Sequence, residues 1–520
     1  GTSGGFIKTG PGTLYLTYPG PQTIGVKEGN IDVVQSLSPF GEGPTAGFQA
    51  FTISRGKVVV GVPGQTNTVA ERMCIGHCTT TTGSENACEL EINGGAFNGN
   101  STVSLGRSNG TTVTAPGGIS SRITVNNGAV TFSLLALGFN NVSGLSGFNA
   151  RPVCDVNAGT LTISSYCNIG ESAGSAATVN VRGGTFRANG KHGSVPAGIL
   201  IGGPASAGNG TLNVAGTGVV YCVNNIALAT VANATGTLNL NGGQLSASNI
   251  IKQTTGSAYL RFNGGVYQPL TAAAALGGLS AAYVSTNGAL IDTSLANGYT
   301  VAQDLLADPA LGGAADGGLV KLGTNTLAVT ATGSTFKGPI EVRAGLLKAR
   351  VCSTNDLCVS AGAAFDALGE RATVGDLTGF GPLTNGVIAV AGTLDAGTNG
   401  SPAGAKMTVQ NLSLLAGATF ACNWATNGAG KVTNDFVTVT GALAPEGSGF
   451  VDFGRTEANP IPMPFSTTVM SYGSLTGAFA GWKPLNTGLP ASAHPALVVT
   501  AESGLVKIEV RYIGTLLLLQ

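Results

Sequence analysis

One short pattern recurs along this chain: a strand of alternating apolar and polar residues, a glycine turn, then a second short apolar strand. It reads LEINGGAF at residues 90–97, ITVNNGAV at 123–130, VNVRGGTF at 179–186 and LNLNGGQL at 238–245. A looser copy starts at Leu212, and LRFNGGVY stands at 260–267. Copies lie about 22 to 56 residues apart, which fits one or more turns of a coil per copy. Alternation turns one side of each strand to a core and the other to solvent. Asn-Gly is also a strong hairpin signal. Strands this short make marginal hairpins on their own. Stacked in parallel at about 4.8 Å, the same residues form continuous apolar ladders. The Asn before each Gly either stacks in the same way or simply tolerates the turn conformation.

Composition agrees with a turn-dense all-β chain. Glycine contributes 82 of 520 residues, charged residues only 10% and hydrophobic residues 43%, too apolar for a disordered low-complexity chain. Lys plus Arg equals Asp plus Glu at 25 each. A neutral surface has no long-range pull on nucleic acid or anionic membranes, and little repulsion between copies. No apolar stretch approaches the roughly 20 residues of a membrane helix, so no membrane span is expected. The chain opens at Gly1 without a Met or a signal-like segment, and reads as a mature exported product.

Nine cysteines agree mildly with export. Cys154 and Cys167 flank a turn-containing segment, Cys352 and Cys358 bracket another, and Cys74, Cys78 and Cys88 form a third local group. Short-range groups of this kind suit loop disulfides in an oxidising compartment, with at least one thiol left over. Cys222 and Cys422 stand alone. His77 lies between Cys74 and Cys78, but no second ligand pair has zinc spacing, so neither metal nor cofactor is expected.

A longer pattern runs GGFIKTGPGTLYLT at 4–17 and GGLVKLGTNTLAVT at 317–330, the latter followed by GPIEVRAGLLK at 338–348. It resembles the autotransporter-associated β-strand repeat, most closely over 286–348 and less so over 4–33. The resemblance implies a secreted or surface-exposed right-handed β-helix of bacterial origin, of a type usually lacking catalytic residues. Autotransporters end in an outer-membrane barrel of about 250–300 residues with amphipathic strands; no such module follows here. The expected fold is therefore an all-β, right-handed parallel β-helix (β-solenoid) with a small C-terminal β-sandwich-like or capping module. Its expected parts are a solenoid with Asn-Gly-Gly repeats over 1–285, a continuing solenoid over 286–430, and a terminal β module with a tail strand over 431–520.

The ends suggest assembly. Residues 506–512 alternate strictly, and Leu516, Leu517, Leu518 and Leu519 follow in a row. Such a segment either folds back on its own core or pairs with another chain. Candidate subunit contacts are Ile508, Val510 and Tyr512 with the four leucines at one end, and Phe6, Ile7, Leu14 and Leu16 at the other. A head-to-tail contact that does not close generates a filament.

Parallel β-helices also host polysaccharide lyases and hydrolases, which need clustered carboxylates. The best local group is Asp304, Asp308 and Asp316, with Asp308 read as a turn residue and Asp304 as an exposed or capping one. His77, His192 and His494 read as turn residues, and no catalytic residue is assigned. Trp424 or Trp482 could stack on a sugar, although Trp482 fits a core position better. The leading expectation is a non-catalytic extracellular structural protein whose partner is itself. A surface adhesin that binds glycans or other cell-surface components is the alternative, and a polysaccharide-active enzyme the third.

Overall fold

A computed structural model describes residues 88–108, 120–140, 149–272, 275–350, 355–397, 403–426, 432–452, 465–486 and 495–512. It also describes the strands Leu14–Thr17, Thr23–Val26, Gln49–Ile53, Gly56–Val60, Thr66–Val69 and Arg72–Cys78. Among these residues the structure is strand and turn, with one 3-10 turn at Pro309–Leu311. The chain divides into two compact units, Gly1–Leu290 with Asp308–Ala310, and Ile291–Ala307 with Leu311–Gln520.

The first unit is a parallel β-solenoid with three strands per turn. Its first face stacks Gly56–Val60, Cys88–Ile92, Ser121–Val125, Val153–Val156 and Ala176–Val181, then continues to Ala281–Val284. The second face runs from Thr66–Val69 through Thr160–Ile163 and Thr185–Ala188 to Val266–Pro269. The third runs from Gln49–Ile53 and Arg72–Cys78 through Cys167–Ile169, Ala197–Ile201 and Asn225–Leu228 to Ile250–Lys252. All of these pairings are parallel. Hairpins would have made them antiparallel and local, so the stacked-coil expectation holds.

Alternation sets what each face buries. On the first face Leu90, Ile123, Cys154, Val179, Leu212, Leu238 and Leu260 lie in register from turn to turn, each fully buried. Each such aliphatic side chain is worth about 1.5–3 kcal/mol when removed from water. The third face repeats the device with Val103, Leu135, Cys167, Ile199, Ile226 and Ile250. The Gly of the repeat is a packing requirement as well as a turn. Gly159 has φ +70°, and a Cβ there would sit 2.4 Å from the Gly128 carbonyl oxygen one turn earlier.

The Asn of the repeat stacks. Asn126 and Asn157 each donate a side-chain amide to the Asn one turn before, at 2.9 and 3.0 Å. Asn180, Asn213 and Asn239 form a second ladder on the first face, with 2.8 Å steps. Glycines such as Gly128, Gly242 and Gly264 take the left-handed φ, and these Asn residues do not. Turn tolerance is therefore not their role.

The second unit is a tighter parallel coil. One face stacks Leu319–Leu322, Ile340–Val342, Leu357–Val359 and Leu377–Gly379, then runs on to Lys483–Asn486. The turn from Ile340 to Leu357 consumes roughly half the chain of a turn such as Leu90 to Ile123 in the first unit. The other face runs from Tyr299–Val301 and Thr326–Val329 to Phe465–Leu475. A third row joins at Arg371–Val374. Lys321, in the repeat's GGLVK segment, is buried and donates to the carbonyls of Leu322, Gly323 and Ala344 at 2.7–3.0 Å. It holds two successive turns together.

The first described strands of the first unit and the last of the second are antiparallel. Thr23–Val26 lies antiparallel on Gly56–Val60, and Leu14–Thr17 antiparallel on Thr23–Val26. At the other end Leu505–Tyr512 pairs antiparallel with both Phe465–Leu475 and Pro495–Glu502. The parallel coil thus continues well past residue 430, and the terminal antiparallel strands act as its cap.

Candidate functional site

The terminal strands hold part of the expected subunit contacts. Phe6, Ile7, Leu516, Leu517, Leu518 and Leu519 lie outside the described residues. Leu14 and Leu16 fall in the Leu14–Thr17 strand, whose described neighbour is Thr23–Val26 alone. Ile508, Val510 and Tyr512 fall in Leu505–Tyr512. That strand is not an open edge: Val510 faces Phe465 on one side and Leu497 on the other, and Ile508 is buried. The outermost described strand at this end is Pro495–Glu502.

The cysteine expectation needs correction. Cys74, Cys88, Cys154, Cys167, Cys222, Cys358 and Cys422 are free thiols. Cys154 and Cys167 point into the core columns of different faces and serve as small hydrophobes, not as a loop disulfide. Cys74 and Cys88 are likewise buried and free, and Cys358 is free and half-buried. Cys352 and the Cys78 side chain lie outside the described residues. Cys154 lies near enough to Cys167 to act on its charge, yet the two enter different columns and stay unbonded.

The local group Asp304, Asp308 and Asp316 serves turns and caps, as read for Asp304 and Asp308. Asp316 is buried and accepts the backbone N–H groups of Gly318, Lys337 and Gly338 at 2.7–2.9 Å. Asp308 is buried against Arg261 and Ser285, and Asp304 accepts from Gly333. Each ties one turn to the next. His192 is half-buried with its ring edge against Tyr166, 4.7 Å between centroids; His494 and the His77 side chain lie outside the described residues. Trp424 and Trp482 are both buried, and Trp482 donates to the Gly447 carbonyl.

A different carboxylate set does come together. Asp395 and Asp452 occupy the same outward position two rungs apart, with Ala421 between them. Asp435 lies close enough to Asp395 to act on its charge, while accepting from the backbone N–H groups of Gly404, Ala405 and Asn423 at 2.9–3.0 Å. Burial, then the charges of Asp435 and Asp452, push the Asp395 carboxyl up to about 6. Among the described residues, no group of three or more His, Cys, Asp and Glu is arranged to hold a metal ion.

The flank of the third face carries a cleft of about 190 Å³. Its floor is Ser104 and Ala136, in register on neighbouring turns and almost wholly buried, and Asn168 continues that row one turn further on. These side chains are short, so the longer ones beside them stand up as walls. One wall is Arg72, Thr102, Leu134 and Tyr166. The other is Arg107, near the end of its strand, with Phe139 and Glu171, which follow the strands of the next two turns. Arg107 lies 5.0 Å from the Phe139 ring centroid, a cation–π contact. Glu171 is 8% exposed, and burial pushes its carboxyl up to about 7 against the pull of Asn168 and Arg107. One of its oxygens, Oε2, and the Oδ1 of Asn168 are buried without a hydrogen-bond partner.

The sequence carried a signal for this wall. Ile75-Gly76-His77, Leu105-Gly106-Arg107, Leu137-Gly138-Phe139, Ile169-Gly170-Glu171 and Ile201-Gly202-Gly203 recur at a nearly constant interval, once per turn of the coil. Each middle glycine takes a left-handed φ between 62° and 84°; Gly138, Gly170 and Gly202 stand directly after their third-face strands, while Gly76 and Gly106 lie two residues before the ends of theirs.

No protein-family model matches this chain, and no curated protein matches it. No helix among the described residues is long and apolar enough to cross a membrane.

Proposed function

We propose that this chain is an extracellular structural protein of a bacterial surface, non-catalytic, whose solenoids join head to tail into a filament, sheath or layer. The observation that carries this reading is the pair of ends. The outermost strands, Leu14–Thr17 and Pro495–Glu502, are each paired on one side only among the described residues. A strand edge of this kind accepts another strand by backbone hydrogen bonding. Two different edges, one on each unit, make a heterologous contact that propagates. Leu485, on the last described rung of its face, is 59% exposed and adds apolar surface at that end. A net charge of zero leaves little repulsion between copies. The likeness of residues 286–348 to the autotransporter-associated repeat supports export to the surface.

Electron microscopy with sizing tests it, on the intact chain beside versions lacking residues 1–18 or 513–520. Filaments from the intact chain and short or monomeric species from the truncated ones support strand addition. Monodisperse monomers from all three overturn it.

A second reading, a surface protein that binds glycans along its flank, is favoured by the cleft over Ser104 and Ala136, with Tyr166 and Phe139 on its walls.

A further inference from the structure

The asparagine ladders pass one residue by. Asn93, Asn241, Asn263 and Asn287 each stand directly before a glycine, and each has its side chain in a ladder of amides. In the copy at 123–130 two asparagines precede the glycine, and the ladder takes the first, Asn126. Asn127 is exposed, and its Oδ1 accepts from the backbone N–H of the next residue, Gly128, at 2.8 Å.

That contact brings together two groups that can react. The side-chain Cγ of an asparagine is an acyl carbon, and the following backbone nitrogen is the nucleophile that closes a ring on it. Cγ lies one C=O bond, about 1.23 Å, beyond Oδ1, so the Gly128 nitrogen stands at most about 4 Å from it. Reacting atoms about 3–3.5 Å apart form a near-attack pair, so only a small closure is needed. Gly128 has no Cβ to obstruct the approach. At Asn263 and Asn287 the corresponding N–H is committed elsewhere: Gly264 donates to the Gly288 carbonyl at 2.9 Å, and Gly288 to the Ser285 carbonyl at 3.0 Å. Their carboxamides are held as well, with Asn287 donating to Asn263 at 3.1 Å and Asn263 to Asn241 at 3.3 Å.

We propose that Asn127–Gly128 is a self-modification site, where the folded chain converts Asn127 to aspartate and isoaspartate through a succinimide. The Gly128 N–H gives its proton to hydroxide and its nitrogen bonds to Asn127 Cγ. The Cγ–Nδ2 bond breaks, and the leaving nitrogen takes a proton from water and departs as ammonia. Water then opens the ring. Cleavage between the Gly128 nitrogen and Cγ leaves the ordinary backbone with a carboxylate at 127. Cleavage between that nitrogen and the Asn127 main-chain carbonyl carbon reroutes the backbone through Cγ. Either product adds a negative charge to a chain whose total charge is zero. Isoaspartate also lengthens the main chain at a corner pinned on both sides, where Ala129 donates to the Gly95 carbonyl at 2.9 Å and the Gly128 carbonyl accepts from Thr160 at 2.8 Å. The corners held by the ladders keep their form.

The test is peptide mapping by mass spectrometry of the full chain, aged folded and in urea at neutral and mildly alkaline pH, with chromatography to separate aspartate from isoaspartate. In the folded chain Asn127 should convert at least about tenfold faster than Asn263 and Asn287, at a rate that rises with pH. In urea the three, each followed by glycine, should convert at similar rates. Asn127 reacting no faster than the other two in the folded chain overturns the proposal. The same preference for Asn127 in urea assigns it to local sequence and not to the fold, and overturns it too. Aspartate formed with neither isoaspartate nor the ring that has lost ammonia identifies direct hydrolysis of the side-chain amide, which removes Gly128 from the reaction and the proposal with it.

Discussion

The side-chain amide of Asn126 donates to Asn93 Oδ1 at 2.9 Å, across 33 residues of chain and a single rung of the coil. Asn126 in turn accepts from Asn157 at 3.0 Å, so each member both gives and receives. Replacing Asn126 with Ala removes two exposed hydrogen bonds and should cost about 1–2 kcal/mol. Asn126→Asp should cost more, because it sets a carboxylate oxygen against the Asn93 carbonyl oxygen. Chemical denaturation of the two variants checks the order.

Glycine at 159 should be irreplaceable. Its φ of +70° disfavours any L side chain, and the added Cβ would meet backbone rather than a movable side chain. Gly159→Ala should lose at least about 2 kcal/mol, the sum of a left-handed penalty and a steric one. Gly193 has nothing within 4 Å of its Cβ position, and Gly193→Ala should be near neutral. Thermal melts of both variants make the comparison.

Lys321 should give the fold an unusual alkaline stabilisation. Burial holds its amine down to about 8, with Asp292 acting in the opposite sense. The unfolded chain keeps that proton until about 10.4, so between these values the unfolded state binds more protons. Stability contributed at this site therefore rises with pH from about 8 to 10.4, by at most about 3 kcal/mol. Lys321→Met should flatten that rise when unfolding is followed across the range, while removing three hydrogen bonds to backbone carbonyls.

Glu171 should act with the opposite slope. Its folded value, about 7, lies above the ordinary carboxyl value, so the folded state holds the extra proton. Its contribution is fully present below about pH 4.3 and is lost as pH rises through 7, at about 1.4 kcal/mol per unit. Glu171→Gln should remove this loss, so the variant gains on the parent between pH 5 and 8.

Cys154 should be silent to thiol reagents in the folded chain. Burial pushes its thiol well above the ordinary range, and it sits in an apolar column between Ile123 and Val179. Cys154→Ala should cost about 1 kcal/mol, whereas Cys154→Asp should prevent the column from forming. Alkylation with and without denaturant, read by mass spectrometry, tests the first statement.

How much of this was legible beforehand follows from what a coil does to sequence distance. Strand alternation and the Asn-Gly-Gly turn are local signals, and both the parallel ladders and the stacked Leu90, Ile123 and Leu238 follow from them. The site residues were sought among sequence neighbours, and a solenoid separates neighbours by turning a corner. Asp304, Asp308 and Asp316 lie close in sequence yet serve separate backbone groups. Asp395 and Asp452 lie far apart in sequence, yet share one face. Cys154 and Cys167 are near neighbours in sequence but fall on different strands of one turn and enter different columns. Arg107, Phe139 and Glu171 were visible only as members of the Leu/Ile-Gly repeat, a signal distinct from the Asn-Gly-Gly spacing. The lining of the cleft is therefore encoded by phase along the coil and not by proximity along the chain.

The turn from Ile340 to Leu357 and the far longer turn from Leu90 to Ile123 each advance their ladder by a single strand spacing. Within each unit, then, axial length is counted in turns and is independent of how much chain each turn consumes. A corner can be enlarged by an insertion without changing the pitch of its neighbours, and an entire turn can be duplicated or lost for a step of about 4.8 Å. The chain is built to change its reach and its decoration separately.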